Sequence, residues 1–286
     1  MLDPANITAL IKLLDDPDEK AYRLVREQIY SLGMEAVPPL EKAWENTFDP
    51  LVQERIQEIN RQLQRENLYV DFVKWVKLGS SDLLKGFILV TKTQYPSLDE
   101  RDILTKIEQI RMDVWLELHE NLTALENVKV LNHILFGVHQ FDGNKMDTSA
   151  PQNSYINTFL ESHQGSPLSL GMLFIILGHK LGLPIHGVNL PQHFILAYLT
   201  DTGIGNPTEE DVIFYINPFN KGAVFTRREI ELFIRQMKIK SERSFFAPCS
   251  NLDIIQRLIN NLIFAYDQLG YTEKIEDLEN LLNAFE

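Results

Sequence analysis

Cysteine is almost absent from this chain. The one example, Cys249, excludes an internal disulfide and any cysteine-based metal cluster. Positive charge is also scarce: 27 bases stand against 40 acids, and the net charge of −13 repels phosphate backbones and anionic lipid surfaces. Neither nucleic acid nor a membrane is expected as a partner. No apolar run approaches the roughly 20 residues that cross a bilayer, and the first segment carries acids where a secretory leader carries bases. A cytoplasmic location is therefore expected. No glycine-rich phosphate loop precedes a helix, since "GIGNP" (203–207) sits between strand-like runs. His179 and His186 flank "KLGLP" without an acid or thiol at ligand spacing, so neither a metal nor a cofactor is expected.

What the 286 residues do contain is mostly helical periodicity. Over residues 3–66 the apolar residues recur at helical spacing between breakers at 15–17, 33 and 46–50. Four short helices are predicted, with Leu10, Leu14, Leu24, Leu40 and Ile59 on their apolar stripe. The rhythm of residues 33–63 resembles a HEAT repeat, in which each helix pair buries its stripe on a neighbour. Residues 68–136 continue as helices, and a polar, turn-rich stretch follows at 139–154, long enough to be a functional loop.

The pattern changes after residue 155. "SPLSLGMLFIILGHKLG" (166–182) is apolar nearly all round and reads as a buried helix. The Val-, Ile- and Phe-rich runs "IHGVNL" (185–190), "HFILAYL" (193–199) and "DVIFYINPF" (211–219) read as antiparallel strands, the last two joined by the hairpin loop "TDTGIGNPTEE". One buried helix on a small sheet is an α+β core. Bases and acids alternate in 225–243, which reads as an ordinary solvated helix. Residues 251–285 form two amphipathic helices joined at Gly270 and Tyr271, resembling one tetratricopeptide-type (TPR-like) unit. The expected fold is thus α+β and mostly α-helical. Its predicted divisions are a HEAT-like segment (1–66), a central domain (67–245, with its core at 141–222) and a TPR-like helix pair (246–286).

Four pieces recur in order: "FDGN" (141–144), "NSYINTFLESHQGSPLSLGMLF" (153–174), "LGLPIHGVNLPQHFIL" (181–196) and "INPFNKG" (216–222). Together they resemble the transglutaminase-like superfamily, most closely its SirB branch, and the resemblance implies a papain-like core. Active members place a Cys at the start of the buried helix, a His on the next strands and an Asp just before a Pro. The helix N-terminus lowers the thiol pKa, the His takes its proton and the third group fixes the imidazole tautomer. Carried onto this chain, the His position is His193 and the Asp position is Asn217, and the two are expected within hydrogen-bonding reach on neighbouring strands. Counting back from "LGLP" at the spacing of the enzymes reaches Pro167, which has no reactive group.

Ser166 followed by Pro167 is a good N-cap followed by a good first helical residue, so the proline begins the helix and does no chemistry. Two readings remain open. The first is a pseudoenzyme: a non-catalytic transglutaminase-like protein that binds a protein or peptide partner, with a regulatory role. The second is an amide or ester hydrolase using Ser169, His193 and Asn217, which needs a base within hydrogen-bonding reach of the hydroxyl. Cys249 lies outside the matching pieces and reads as a loop or core thiol.

Overall fold

The computed structural model describes residues 4–200 and 207–285, with side chains from residue 7 onward. Two compact units divide between Lys74 and Trp75. In the first unit lie α1 (Pro4–Lys12), α2 (Glu19–Leu32), α3 (Val37–Asn46) and most of α4 (Pro50–Lys77), which runs on past the division. Asp18 caps α2 by accepting from the Lys20 N–H, and prolines stand in the first turn of α3. Leu10, Leu14, Leu40 and Ile59 are buried together as the stripe requires. Leu24 is not: it is 63% exposed, because Tyr22, Val25 and Ile29 form the inward face of α2 and Leu24 falls on the opposite one. Arg55 is buried among them, giving Nη1 to the carbonyls of Leu14 and Asp16 at 2.8 and 2.7 Å. Its guanidinium lies 4.0 Å above the Tyr22 ring, so a base in this core serves as a cap for chain that turns after α1.

The second unit opens with α5 (Leu83–Lys92), α6 (Glu100–Glu117) and α7 (Ala124–Asn132). A π-helical turn over His133–Val138 continues α7 and delivers the chain to β1 (Asp142–Gly143). Next come α8 (Ile156–Ser162), β2 (Gln164–Gly165), which pairs in parallel with β1, and α9 (Pro167–Lys180). The sheet proper consists of β3 (Ile185–Leu190), β4 (His193–Leu199), β5 (Val212–Asn217) and β6 (Ala223–Phe225), antiparallel throughout and in sequence order. Then follow α10 (Arg227–Gln236), α11 (Asn251–Leu269) and α12 (Thr272–Leu282). The predicted strands agree to within two residues at each end. Most of the predicted hairpin loop, at 201–206, lies outside the described residues.

Both faces of the central strand β4 are covered, which is why its run of seven is apolar almost without interruption. On one face α9 packs closely because Gly171 and Gly178 lack side chains. A methyl group at Gly171 would come within 2.5 Å of the Phe194 ring, and one at Gly178 within 3.2 Å of Ile185. On the other face Val188, Ile195, Ala197 and Tyr215 meet Ile230 and Ile234 of α10. This corrects the expectation of a merely solvated helix at 225–243: one stripe of α10 closes the core, and its charges occupy the remaining surface. The architecture is α+β and mostly helical. Among the described residues no helix is long and apolar enough to cross a membrane.

After β5 the chain turns through Pro218–Asn220, with Lys221 at φ 49° and Gly222 at φ 68°. The Gly222 carbonyl accepts from Asn132 Nδ2 at 3.0 Å, and a Cβ at Gly222 would stand 1.8 Å from the Asn132 Oδ1. Gly222→Ala meets both backbone strain and a collision, so it should cost about 2–3 kcal/mol. Gly270→Ala, at φ 75° but with open space around it, should cost about 1 kcal/mol. Urea denaturation of the two variants checks the order; equal losses would mean that Asn132 moves aside freely.

Candidate functional site

The start of α9 is fixed before any chemistry is considered. Ser166 is extended (φ −75°, ψ 164°), and its hydroxyl accepts from the Ser169 N–H at 3.1 Å, while Pro167 takes the first helical position. Neighbouring turns hold this corner through Asn153, a buried residue. Its carbonyl accepts from the Ser166 N–H at 3.3 Å and from the Ser169 hydroxyl at 2.5 Å. Its side-chain oxygen accepts from Asn144 Nδ2 at 3.0 Å, and its Nδ2 donates to the Asp147 carbonyl at 2.6 Å. Asn144 in turn gives its N–H to the Gly165 carbonyl and accepts from the N–H groups of Met146 and Asp147. The long polar loop is therefore an ordered brace for the helix start.

Beyond that corner lies a cavity of about 300 Å³. Pro167, His193 and Asn217 all line it, so the three positions matched to the nucleophile, the base and its orienting partner do meet. Its remaining wall is largely apolar, with Leu190, Ile195, Phe219, Phe225 and Phe233 prominent. Phe219 sits where it does because Gly143, in "FDGN", has no side chain: a methyl group there would come within 2.2 Å of the ring. One ionised group, Glu229, stands at the rim, accepting from the N–H and hydroxyl of Thr226; these bonds, the backbone one foremost, hold its carboxyl below the usual range.

His193 opens β4 directly after Gln192, whose φ of 60° is left-handed. The imidazole is exposed at the cavity mouth and meets the Phe233 ring edge-on, with centroids 4.8 Å apart. Partial loss of water, reinforced by the nearby Arg257 charge, lowers its pKa from the ordinary 6.5, so it is neutral at neutral pH. Asn217 is on the next strand and the same face, as the pairing of Leu196 with Ile216 dictates. The expected hydrogen bond between them is nevertheless not made. Asn217 Oδ1 instead accepts from the N–H groups of Phe219 and Asn220, at 3.0 and 3.1 Å, capping the turn that Pro218 begins.

Ser169 is not brought into this group. It is fully buried, away from the cavity lining, and its hydroxyl is taken up by Ser166 at 2.9 Å and the Asn153 carbonyl. No imidazole stands beside it. Cys249 also lies apart, and burial pushes its thiol up to about 12, far from a reactive value. His179 and His186 approach to a centroid separation of 5.2 Å, and burial lowers both, His186 to about 4. No group of three or more His, Cys, Asp or Glu suited to a metal ion occurs among the described residues. Sequence reasoning missed the aromatic wall, although Ile230, Phe233 and Ile234 at helical spacing in α10 were its visible signal.

A brace, a helix start and a sheet arranged in this order agree with comparison to known proteins. The profile of the transglutaminase-like superfamily matches residues 101–260, and the chain belongs to that superfamily. It is 26% identical over 203 residues to a UPF0162 protein of Xylella fastidiosa, covering 67% of this chain and 69% of that one. A UPF0162 protein of Vibrio cholerae is 33% identical over 153 residues, 54% of this chain and 53% of the other. Human F-box only protein 21 is 30% identical over 152 residues, 53% of this chain and 23% of that protein's length. No solved structure matches.

Removing the Asn153 brace should loosen the site. Asn153→Ala leaves the Asn144 amide without its acceptor and the Asp147 carbonyl without its donor, and should cost about 2–4 kcal/mol in chemical denaturation. A loss under about 0.5 kcal/mol would show that water replaces the amide at no cost.

The helix start itself is tested by Pro167→Cys in a Cys249→Ser background. The new thiol should titrate below the unperturbed value of roughly 8.5, because the helix dipole favours thiolate. Iodoacetamide alkylation against pH reads this directly. The lowered His193 pKa leaves little imidazolium at neutral pH, so a further His193→Ala change should move the profile less than the helix does. An ordinary thiol profile would place residue 167 outside the influence of the helix N-terminus.

Proposed function

We propose that this chain is a non-catalytic transglutaminase-like protein of the SirB type, working in the cytoplasm, whose former substrate cavity holds a peptide segment of a protein partner. One observation carries the reading: Pro167 lines the same cavity as His193 and Asn217, so the reacting centre of the fold has a shaped pocket and no nucleophile. Three further features support it. The cavity wall is mainly apolar, suited to an anchoring side chain. Asn217 is occupied as a turn cap, and the nearby hydroxyls of Ser166 and Ser169 are turned to each other and to Asn153. HEAT-type packing of α1–α4 and a TPR-type pairing of α11 with α12 would supply further surfaces for a partner. The role is then regulatory, set by which protein is held. A hydrolase using Ser169, His193 and Asn217 would need Ser169 to leave two hydrogen bonds and cross to the cavity.

Panning a random peptide phage library on the purified full chain tests the proposal. Selected peptides should bind the native protein, weaken about tenfold on Phe233→Ala, and be recovered intact by mass spectrometry after prolonged incubation. Cleavage of those peptides, abolished by Ser169→Ala, would establish the hydrolase instead.

A further inference from the structure

A second cavity, of about 570 Å³, lies in the same unit and shares no lining residue with the first. It opens between Gln94 and Tyr95 just beyond α5, the 147–155 segment, and the end of α11 with the start of α12. Four tyrosines, Tyr95, Tyr155, Tyr266 and Tyr271, stand among its lining residues. Tyr95 meets Tyr155 edge-on at 5.5 Å, and Tyr266 meets Tyr271 edge-on at 6.1 Å. The two pairs are joined at depth by a 2.8 Å hydrogen bond between the Tyr155 and Tyr266 hydroxyls. Tyr155 and Tyr266 are buried, whereas Tyr271 is 57% exposed and Leu269 55% exposed at the mouth.

The polar groups here are rich in free donors. Gln152, Gln268 and Lys274 line the cavity, and their side chains make no hydrogen bond or ion pair within the described protein; the hydroxyls of Tyr95 and Tyr271 are likewise unbonded. The lining holds one acid, Asp147, and one base, Lys274, so as a whole it selects no strong charge. No strand contributes to the lining, which removes addition of a peptide strand to a sheet edge. Nor is it the greasy groove that an amphipathic helix requires, since rings bearing hydroxyls alternate with amides.

We infer that this tyrosine-lined cleft is a binding site for a proline-rich segment in the polyproline II conformation. Such a chain offers what the cleft lacks. Proline rings present flat apolar faces to aromatic side chains, and a backbone with unpaired carbonyls and few N–H groups needs donors, which the hydroxyls of Tyr95 and Tyr271 and the amides of Gln152 and Gln268 supply. The extended segment is already ordered, which limits the entropy lost on docking. This site is independent of the proposed role for the first cavity.

Isothermal titration calorimetry on the full chain tests it with a proline-rich peptide of about ten residues, beside a control in which glycine replaces every proline. The expected result is saturable binding of the proline peptide alone. Tyr271→Ala and Gln268→Ala, both at exposed positions that leave the core intact, should weaken it, the tyrosine by about tenfold. Phe233→Ala, in the other cavity, should change nothing here, so failure of either site is seen separately. Absence of saturable binding overturns the inference. So does equal binding of the glycine control, which would mean a site for any extended chain, and so does an affinity indifferent to both Tyr271→Ala and Gln268→Ala.

Discussion

Asn153 is the constraint on which the functional end of this molecule depends. Its carbonyl and both polar atoms of its amide are used inside the protein, and they reach two separate pieces of chain: the start of α9 and the turn over residues 144–147 after β1. A buried amide that is satisfied at every point fixes geometry more sharply than apolar contact does, since any displacement leaves a donor or acceptor without a partner. The position of Pro167 relative to His193 follows from it. So does the ordered course of the polar, turn-rich loop at 139–154.

The same arrangement leaves the three matched residues in separate local tasks. Nucleophilic catalysis needs the attacking atom, its base and the orienting group in one line. Of the residues matched to these roles by resemblance, Pro167 is a pyrrolidine ring, His193 leans its imidazole on Phe233, and Asn217 holds the turn that follows it. Asn217 has a local task that an amide or a carboxylate could perform equally. Its presence at the matching position therefore carries no information about catalysis, and the same holds for Ser166, whose hydroxyl serves the helix.

Much of the architecture was legible because its signals are local and strong. The strands follow from runs of Val, Ile, Phe and Tyr, the buried helix from an unbroken apolar face, and the helix start from Ser-Pro. The placement of His193 and Asn217 on one face followed from the resemblance to the transglutaminase-like core. The hydrogen bond between them did not, because a side-chain amide one residue before Pro218 has backbone donors closer at hand, and a spacing rule cannot see that competition. Leu24 misled for a similar reason: a lone leucine beside a stripe counts in composition but not in phase. The tyrosine cleft was invisible, since its residues are spread from 94 to 274 and meet only through tertiary packing.

A proline where the active enzymes carry a thiol also changes what the start of α9 requires structurally. A thiolate at a helix start must be kept ionised by neighbouring charge and partly open to its substrate, and such arrangements are held against the stability of the fold. Proline at the same position does the reverse, narrowing the unfolded ensemble and starting the helix with its backbone already set. The imidazole, its pKa lowered, stays neutral at the cavity mouth with Phe233 edge-on against it. An apolar pocket with a neutral histidine at its mouth is poor equipment for proton transfer to a buried hydroxyl. Under the proposed function it would hold a side chain, and nothing in it would need to be recharged or reorganised when the ligand leaves.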